Sequence, residues 1–462
     1  MELAGLLAVV ASVATGSVLA GCGGQSGLIT VEIKSAPGSD LLERVDSVRA
    51  TLTEPLVVIE AERDSDGRLA IELEVDAEGQ SGFLELEGRD ASGQRIAFGR
   101  SGPLPIAAID ATISIYMGAP GTLSEAPVQL VPARTEMGTS ALSFGVFLGG
   151  GRTATETAVS DVGIYSVYTH AIEPGLDLGM VADTAAPRRA PTAMTALGGL
   201  DDVYVFGGFD DRGQPRGEAW RYLSTVPPSG VYSELVSDTE IVRADARAVL
   251  HGQELFVITG EPPLVLDGLL GVVRELDDPS QLSGAAATTV ADGRFVSLFT
   301  GAGNPGGAAL LVNGVAEAAT GAQQLERTGH ATVVLPDGDL LTVAGRIDDT
   351  PVRSAVRFDP ATRQFEVLDD MLLLGRIDAA VAVTAEYLIV AGGTDEDGVI
   401  LGDAEVFDAR TLERIGDPIA MVQPRTAASV GTLSNGQMLI AGGVDADEQP
   451  IATIELFTPQ PR

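Results

Sequence analysis

The chain has 462 residues, 45% of them hydrophobic, with 56 glycines and 25 prolines, which places it among turn-rich globular proteins and outside the disordered class. Its 65 acidic and 29 basic residues give a net charge of −36, a surface that repels phosphate backbones and so excludes nucleic acid as a partner. A single cysteine, Cys22, excludes an internal disulfide and any cysteine-rich metal site.

Residues 3–20 form an apolar run that ends at Leu19-Ala20-Gly21-Cys22, followed by Gly23-Gly24-Gln25-Ser26-Gly27. A run of that length can act as a membrane anchor. Small residues before a cysteine, with a flexible tether after it, resemble the bacterial lipobox. That resemblance implies a signal peptide over 1–21, lipidation of Cys22 and a tether over 22–27. The membrane is then a partner through the lipid, and the protein faces the periplasm or cell exterior. Gly23, rather than Asp, after the cysteine resembles outer-membrane sorting.

Residues 28–118 alternate with period 2: Ile29/Val31/Ile33, Leu69/Ile71/Leu73/Val75 and Ile113/Ile115 each put apolar side chains on one strand face. Further apolar runs lie at 45–52, 56–61 and 83–86, with turn signals at Asp66-Gly67, Glu78-Gly79 and Ser92-Gly93. The expectation is a small immunoglobulin-like or transthyretin-like β-sandwich, with a short linker at 119–125.

From residue 119 onward a different pattern takes over. Apolar runs end in small pairs at Gly149-Gly150, Gly207-Gly208, Thr259-Gly260, Thr300-Gly301, Ala344-Gly345, Gly392-Gly393 and Gly442-Gly443, 41 to 58 residues apart. A repeat of this length made of short strands and turns predicts a β-propeller over 119–462 with seven four-stranded blades. The unit is clearest at 327–368: strand a at 331–335, a type I′ hairpin at Asp337-Gly338, strand b at 340–344, strand c at 354–358 and strand d at 364–368. The last unit lacks a strand d, and residues 126–131 resemble an orphan one. Their pairing with the last blade is expected to close the ring.

The Arg327-Thr-Gly-His330 opening, the Pro336-Asp-Gly turn, the small pair after strand b and Ala404-Glu-Val-Phe-Asp408 resemble bacterial kelch repeats, related to the propeller of galactose oxidase. The resemblance spans roughly 130–462 and is strongest in the last three units. It implies blades wound a to d from the central channel outward. Val356 departs from it, since the later units carry Glu405 and Glu455 there, and so does Trp220. Galactose oxidase needs a Cys–Tyr crosslink beside copper; with Cys22 as the sole cysteine, that activity is excluded.

Antiparallel connectivity puts the d–a and b–c loops on one face. The openers Arg134, Arg188, Arg243, Arg327, Arg376 and Arg425 lie at d–a junctions, where guanidiniums could bind an anionic or glycan ligand. They could equally hold each blade to its neighbour. Acidic b–c loops, among them Asp395-Glu-Asp397 and Asp445-Ala-Asp447-Glu448, read as solvated turns that could bind Ca²⁺ weakly; no other cofactor is expected. His170, His251 and His330 lack metal-ligand spacing. Gly301-Ala-Gly303-Asn-Pro-Gly306 matches a dinucleotide pattern by accident, with no helix after it. No catalytic residue is assigned. The expected function is a lipid-anchored extracytoplasmic binding or scaffold protein whose propeller face takes a protein or glycan. The alternative is a periplasmic sugar epimerase or mutarotase using arginines and carboxylates at the propeller mouth, as the kelch resemblance also implies.

Overall fold

The computed structural model describes residues 8–11, 29–54, 56–62, 81–105, 111–180, 185–195, 201–236, 248–252, 255–259, 263–268, 272–276, 282–319 and 321–461. Cys22, Arg243, the small pair's Gly260 and the strand expected at 69–75 lie outside them. Among the described residues the protein is all-β, with only single 3₁₀ turns as helix.

The N-terminal part contains small sheets. One orders Ala8–Ala11, Ile29–Lys34 and Ala111–Tyr116, the last two strands running parallel. A second orders Val57–Glu62, Ser47–Leu52, Leu84–Arg89 and Arg95–Arg100, all antiparallel. Alternate residues of Ser47–Leu52 and Leu84–Arg89 are buried, as period-2 patterning requires. Val31, Ile33, Ile113 and Ile115 of the first sheet share one apolar core with Val48, Ala50, Leu86 and Ala97 of the second. The parallel pair was not legible in the alternation, which is the same for either strand direction.

Seven sheets of four antiparallel strands follow among the described residues, consistent with propeller blades. We number them I to VII by their first strands: Gly138–Leu142, Thr192–Thr195, Ala248–Leu250, Ala285–Ala291, Thr328–Val334, Ala380–Val383 and Ser429–Thr432. Sheet V carries an extra two-residue strand, Thr350–Pro351. The first strands contact one another in order, and that of sheet VII contacts that of sheet I. Second strands such as Gly145–Gly149, Asp202–Phe206 and Tyr387–Ala391 are buried throughout, because neighbouring sheets cover both faces.

Sheet VII takes its outer strand from the other end of the repeat region. Thr122–Gln129 pairs with Thr453–Thr458 from Thr122↔Thr458 to Glu125↔Glu455, and again at Gln129↔Thr453. Leu130 N–H donates to Ala452 O at 2.8 Å. The register shifts between Glu125 and Gln129, where Pro127 has no N–H to give the ladder. The strand thus starts four residues earlier than 126, and most of the expected 119–125 linker belongs to it.

The hairpin at Asp337-Gly338 also differs from expectation. Only Gly338 has positive φ, and Leu335 N–H bonds Asp339 O at 2.8 Å, so a turn with a glycine bulge replaces type I′. Asn435-Gly436 does the same, with Leu433 N–H on Gln437 O at 2.9 Å.

The N-terminal sheets dock on the repeats through polar ties. Lys34 Nζ donates to Thr169 O at 2.6 Å, Tyr168 Oη to Pro103 O at 2.7 Å and Asn435 Nδ2 to Arg100 O at 3.0 Å.

Candidate functional site

Both loop families expected on one face do meet. Thr135, Arg189, Ile377 and Thr426, each just after an opening arginine, bridge to Arg152, Phe209, Thr394 and Val444, which begin the loops between second and third strands. The arginines themselves do not stand on the rim. Arg134, Arg188, Arg327, Arg376 and Arg425 are all at most 3% exposed.

Each side chain reaches across its own sheet. Arg425 Nη1 donates to Gly442 O at 3.0 Å and Thr453 O at 2.8 Å, while Nη2 meets Glu455 Oε1 at 2.7 Å. Glu455 in turn accepts the N–H groups of Val422 and Gln423, which belong to the incoming turn. Arg376 repeats the pattern with Gly392 O and Glu405, and Glu405 accepts the N–H of Leu373. Arg327 reaches Ala344 O and Ser354 O, but Val356 fills the glutamate position and no carboxylate faces it. Burial alone therefore pulls its guanidinium down to about 10. Burial also lowers Arg425, an effect that Glu455 partly offsets.

Two sheets vary the theme. In sheet I, Gly163 takes the glutamate position and Arg134 Nη1 donates to Asp161 O at 2.8 Å. In sheet II, Trp220 takes it; Arg188 lies 5.1 Å from the indole centroid and forms a 2.7 Å ion pair with Glu218, at angles outside a hydrogen bond. Glu218 was missed in the sequence. Its signal was there, since Glu218 precedes Trp220 by two residues at the strand's entry, and residues two apart in extended chain share a face. Sheet IV has no opening arginine, and Asn304 ties its loop to Ser283, accepting from its N–H at 3.0 Å and donating to its carbonyl at 2.9 Å.

The arginine backbones tie neighbouring sheets together. Gly151, Gly345 and Gly393 donate their N–H groups to the carbonyls of Arg188, Arg376 and Arg425, each in the next sheet, at 2.7, 2.8 and 2.9 Å. A Cβ on Gly392 would overlap Arg425 O, and one on Gly442 would overlap Arg134 O across the VII–I junction. Both glycines have positive φ, 61° and 64°. In sheet I the equivalent pair is Gly150-Gly151, one residue beyond the expected Gly149-Gly150, because Gly149 still belongs to the strand.

The histidines join sheets as well. His251 accepts Gly314 N–H at Nε2, so Nδ1 carries the proton toward Ser297 Oγ, 2.8 Å away. His330 Nε2 lies 2.8 Å from Thr300 Oγ1 of sheet IV. His170 packs against Tyr116 and lies 3.1 Å from Tyr165 Oη. Burial pushes His170 down to about 3 and His251 to about 4.

No protein-family model matches the chain, and no curated protein matches its sequence.

Among the described residues, two of the concavities are candidates. One, of about 370 Å³, lies against Arg188, Arg216, Glu218 and Trp220 within sheet II; Trp220 is 3% exposed, which leaves little indole face for a ligand. The other, of about 490 Å³, lies among the loops of three consecutive sheets: Arg152 of sheet I, Thr394 and Ile400 of VI, and Thr426, Val444 and Glu448 of VII. Arg152 is engaged by Glu136 at 3.1 Å and by Glu156.

The acidic loops hold themselves in shape. Asp395 Oδ1 accepts the N–H of Asp397 and Val399, Asp445 Oδ1 those of Asp447 and Gln449, and Asp210 Oδ1 those of Arg212 and Gln214. The Gln214 bond leads in holding Asp210 below the usual carboxylate range. Among the described residues no group of three or more ligating side chains could hold a metal ion.

Proposed function

We propose that the seven sheets are the blades of a closed kelch-type propeller, preceded by a β-sandwich, and that the protein is a lipid-anchored extracytoplasmic module whose loop face binds a protein or glycan. The groove carries this reading: a cavity of about 490 Å³, within the usual range for ligand sites, to which three different sheets contribute. The cyclic contacts of the first strands and the pairing of Thr122–Gln129 with Thr453–Thr458 support the closed ring. Cys22 remains the proposed lipid attachment, with the membrane as the second partner; cleavage before it would take away Ala8–Ala11, an edge strand of the first sheet, and leave the parallel pair Ile29–Lys34/Ala111–Tyr116.

The epimerase reading has no comparable support. Glu405 and Glu455, the carboxylates nearest Arg376 and Arg425, are 0% exposed and bonded to backbone N–H groups; Asp403, partly exposed, also meets Arg376 at 3.3 Å, but that guanidinium is itself sealed from solvent. Acid–base chemistry needs a carboxylate within reach of a bound hydroxyl.

The test is binding of the full chain in detergent to a glycan array and to extracytoplasmic proteins of its source cell. A hit lost in the Ile400→Arg variant, with thermal stability unchanged, supports the groove. Hits that survive Ile400→Arg place binding elsewhere and sink this reading.

A further inference from the structure

We propose that the groove between sheets I, VI and VII takes an extended, lysine- or arginine-bearing segment of a partner protein. This rests on the groove reading above and names the partner's chemistry.

Charge is distributed unevenly over the loop face. The three loops around the groove, 152–158, 394–400 and 444–450, carry seven carboxylates (Glu156, Asp395, Glu396, Asp397, Asp445, Asp447 and Glu448) against Arg152 alone. The whole chain has 65 against 29, so the ratio is about threefold richer here. The equivalent loops of sheets II and V, 209–215 and 345–351, each carry two acidic residues and one arginine. The one cation at the groove is also spent, since Arg152 is engaged by Glu136 and Glu156.

Glu156 pairs with Arg152, and the other six acidic side chains divide into two kinds. Asp395 and Asp445 use their Oδ1 atoms to hold the turns. Glu396, Asp397, Asp447 and Glu448 stand exposed at the tips, and Glu448 also lines the cavity. They are not arranged to cage a metal. Besides Arg152, Asp445 and Glu448, the lining is apolar or hydroxylic: Ile400, Val444, Ala446, Thr394 and Thr426. An acidic rim over such a wall matches a chain that alternates cationic and small apolar side chains. An anionic ligand is repelled, and a neutral glycan, though its hydroxyls can donate to carboxylates, lacks the long-range attraction the rim gives a cation.

The test uses the full chain in detergent and a fluorescein-labelled (Lys-Val)₄ peptide, with (Glu-Val)₄ as its counterpart, read by fluorescence anisotropy. The lysine peptide binds, weakens steeply with added salt, and competes with any protein partner found. Glu396→Gln/Asp397→Asn weakens it about tenfold, whereas Asp348→Asn/Asp349→Asn in sheet V, removing the same charge, leaves it unchanged. Equal effects of the two double variants would mean diffuse surface attraction and overturn the proposal. So would no binding of the lysine peptide; a glycan hit that Ile400→Arg abolishes would then keep the groove as a site while discarding the basic partner.

Discussion

The Arg425 guanidinium lies 2.7 Å from the Glu455 carboxylate, and neither side chain reaches solvent. Glu455 also accepts two N–H groups from the turn that delivers Arg425, so one carboxylate fixes both the charge and the chain entering sheet VII. Glu455→Ala therefore strands a buried cation and two donors at once. The expected loss is about 3–5 kcal/mol, with a smaller loss for Glu455→Gln, read as the shift in denaturant midpoint. A loss below about 1 kcal/mol for the alanine variant would show that water replaces the carboxylate there.

Arg327 and Arg425 occupy the same place in their sheets, yet only Arg425 faces a carboxylate. Arg425→Met leaves Glu455 buried without its counter-charge; Arg327→Met leaves carbonyl oxygens and the Ser354 hydroxyl, all uncharged. The first should cost about 2 kcal/mol more than the second. Equal losses would place the value of these arginines in their carbonyl bonds alone.

Gly442 and Ala344 make a contrasting pair, with φ of 64° and 63°. Gly442→Ala meets Arg134 O and also pays for a left-handed residue, which together exceed about 1–2 kcal/mol. Ala344→Gly relieves the left-handed conformation and gains at most about 1 kcal/mol. Thermal denaturation of the two variants should move in opposite directions.

Leu123 sits at 7% exposure in the strand that completes sheet VII. Leu123→Asp buries a charge in that packing and releases the strand, which bares the edge of Thr453–Thr458. Light scattering should then show concentration-dependent association. A monodisperse variant with unchanged melting would mean that the edge is protected in another way.

His251 and His170 are held neutral by burial, at about 4 and about 3 against the usual 6.5. Below pH 6.5 the unfolded chain takes up protons that the folded chain refuses. Their contribution is thus intact above pH 6.5 and declines as pH falls toward 4. His251→Gln should flatten the dependence of denaturant midpoint on pH between 6.5 and 5, a window above most carboxylate titration. An unchanged slope there would show that His251 takes up its proton in the fold.

Much of the architecture was written locally. Glycine pairs, the 41–58-residue spacing and the alternation at residues 29–33 and 113–115 follow from steric and solvation rules that act over a few residues. The missing outer strand after residues 454–457 even pointed to a segment near 126–131, close to the Thr122–Gln129 strand that pairs there. Three things depended on distant residues. Strand direction in the Ile29–Lys34/Ala111–Tyr116 pair depends on how the chain crosses between them, and the alternation of apolar residues is blind to that. The fate of the arginines depended on which side chain arrives opposite: Glu455, Val356, Gly163, or Trp220 with Glu218. The groove exists only because loops about 50 and about 240 residues apart in the chain converge, and no local pattern carries a shape made by three separate sheets. Short-range sterics chose the strands and turns; the docking of sheet on sheet decided which charges were sealed inside and which were left facing water.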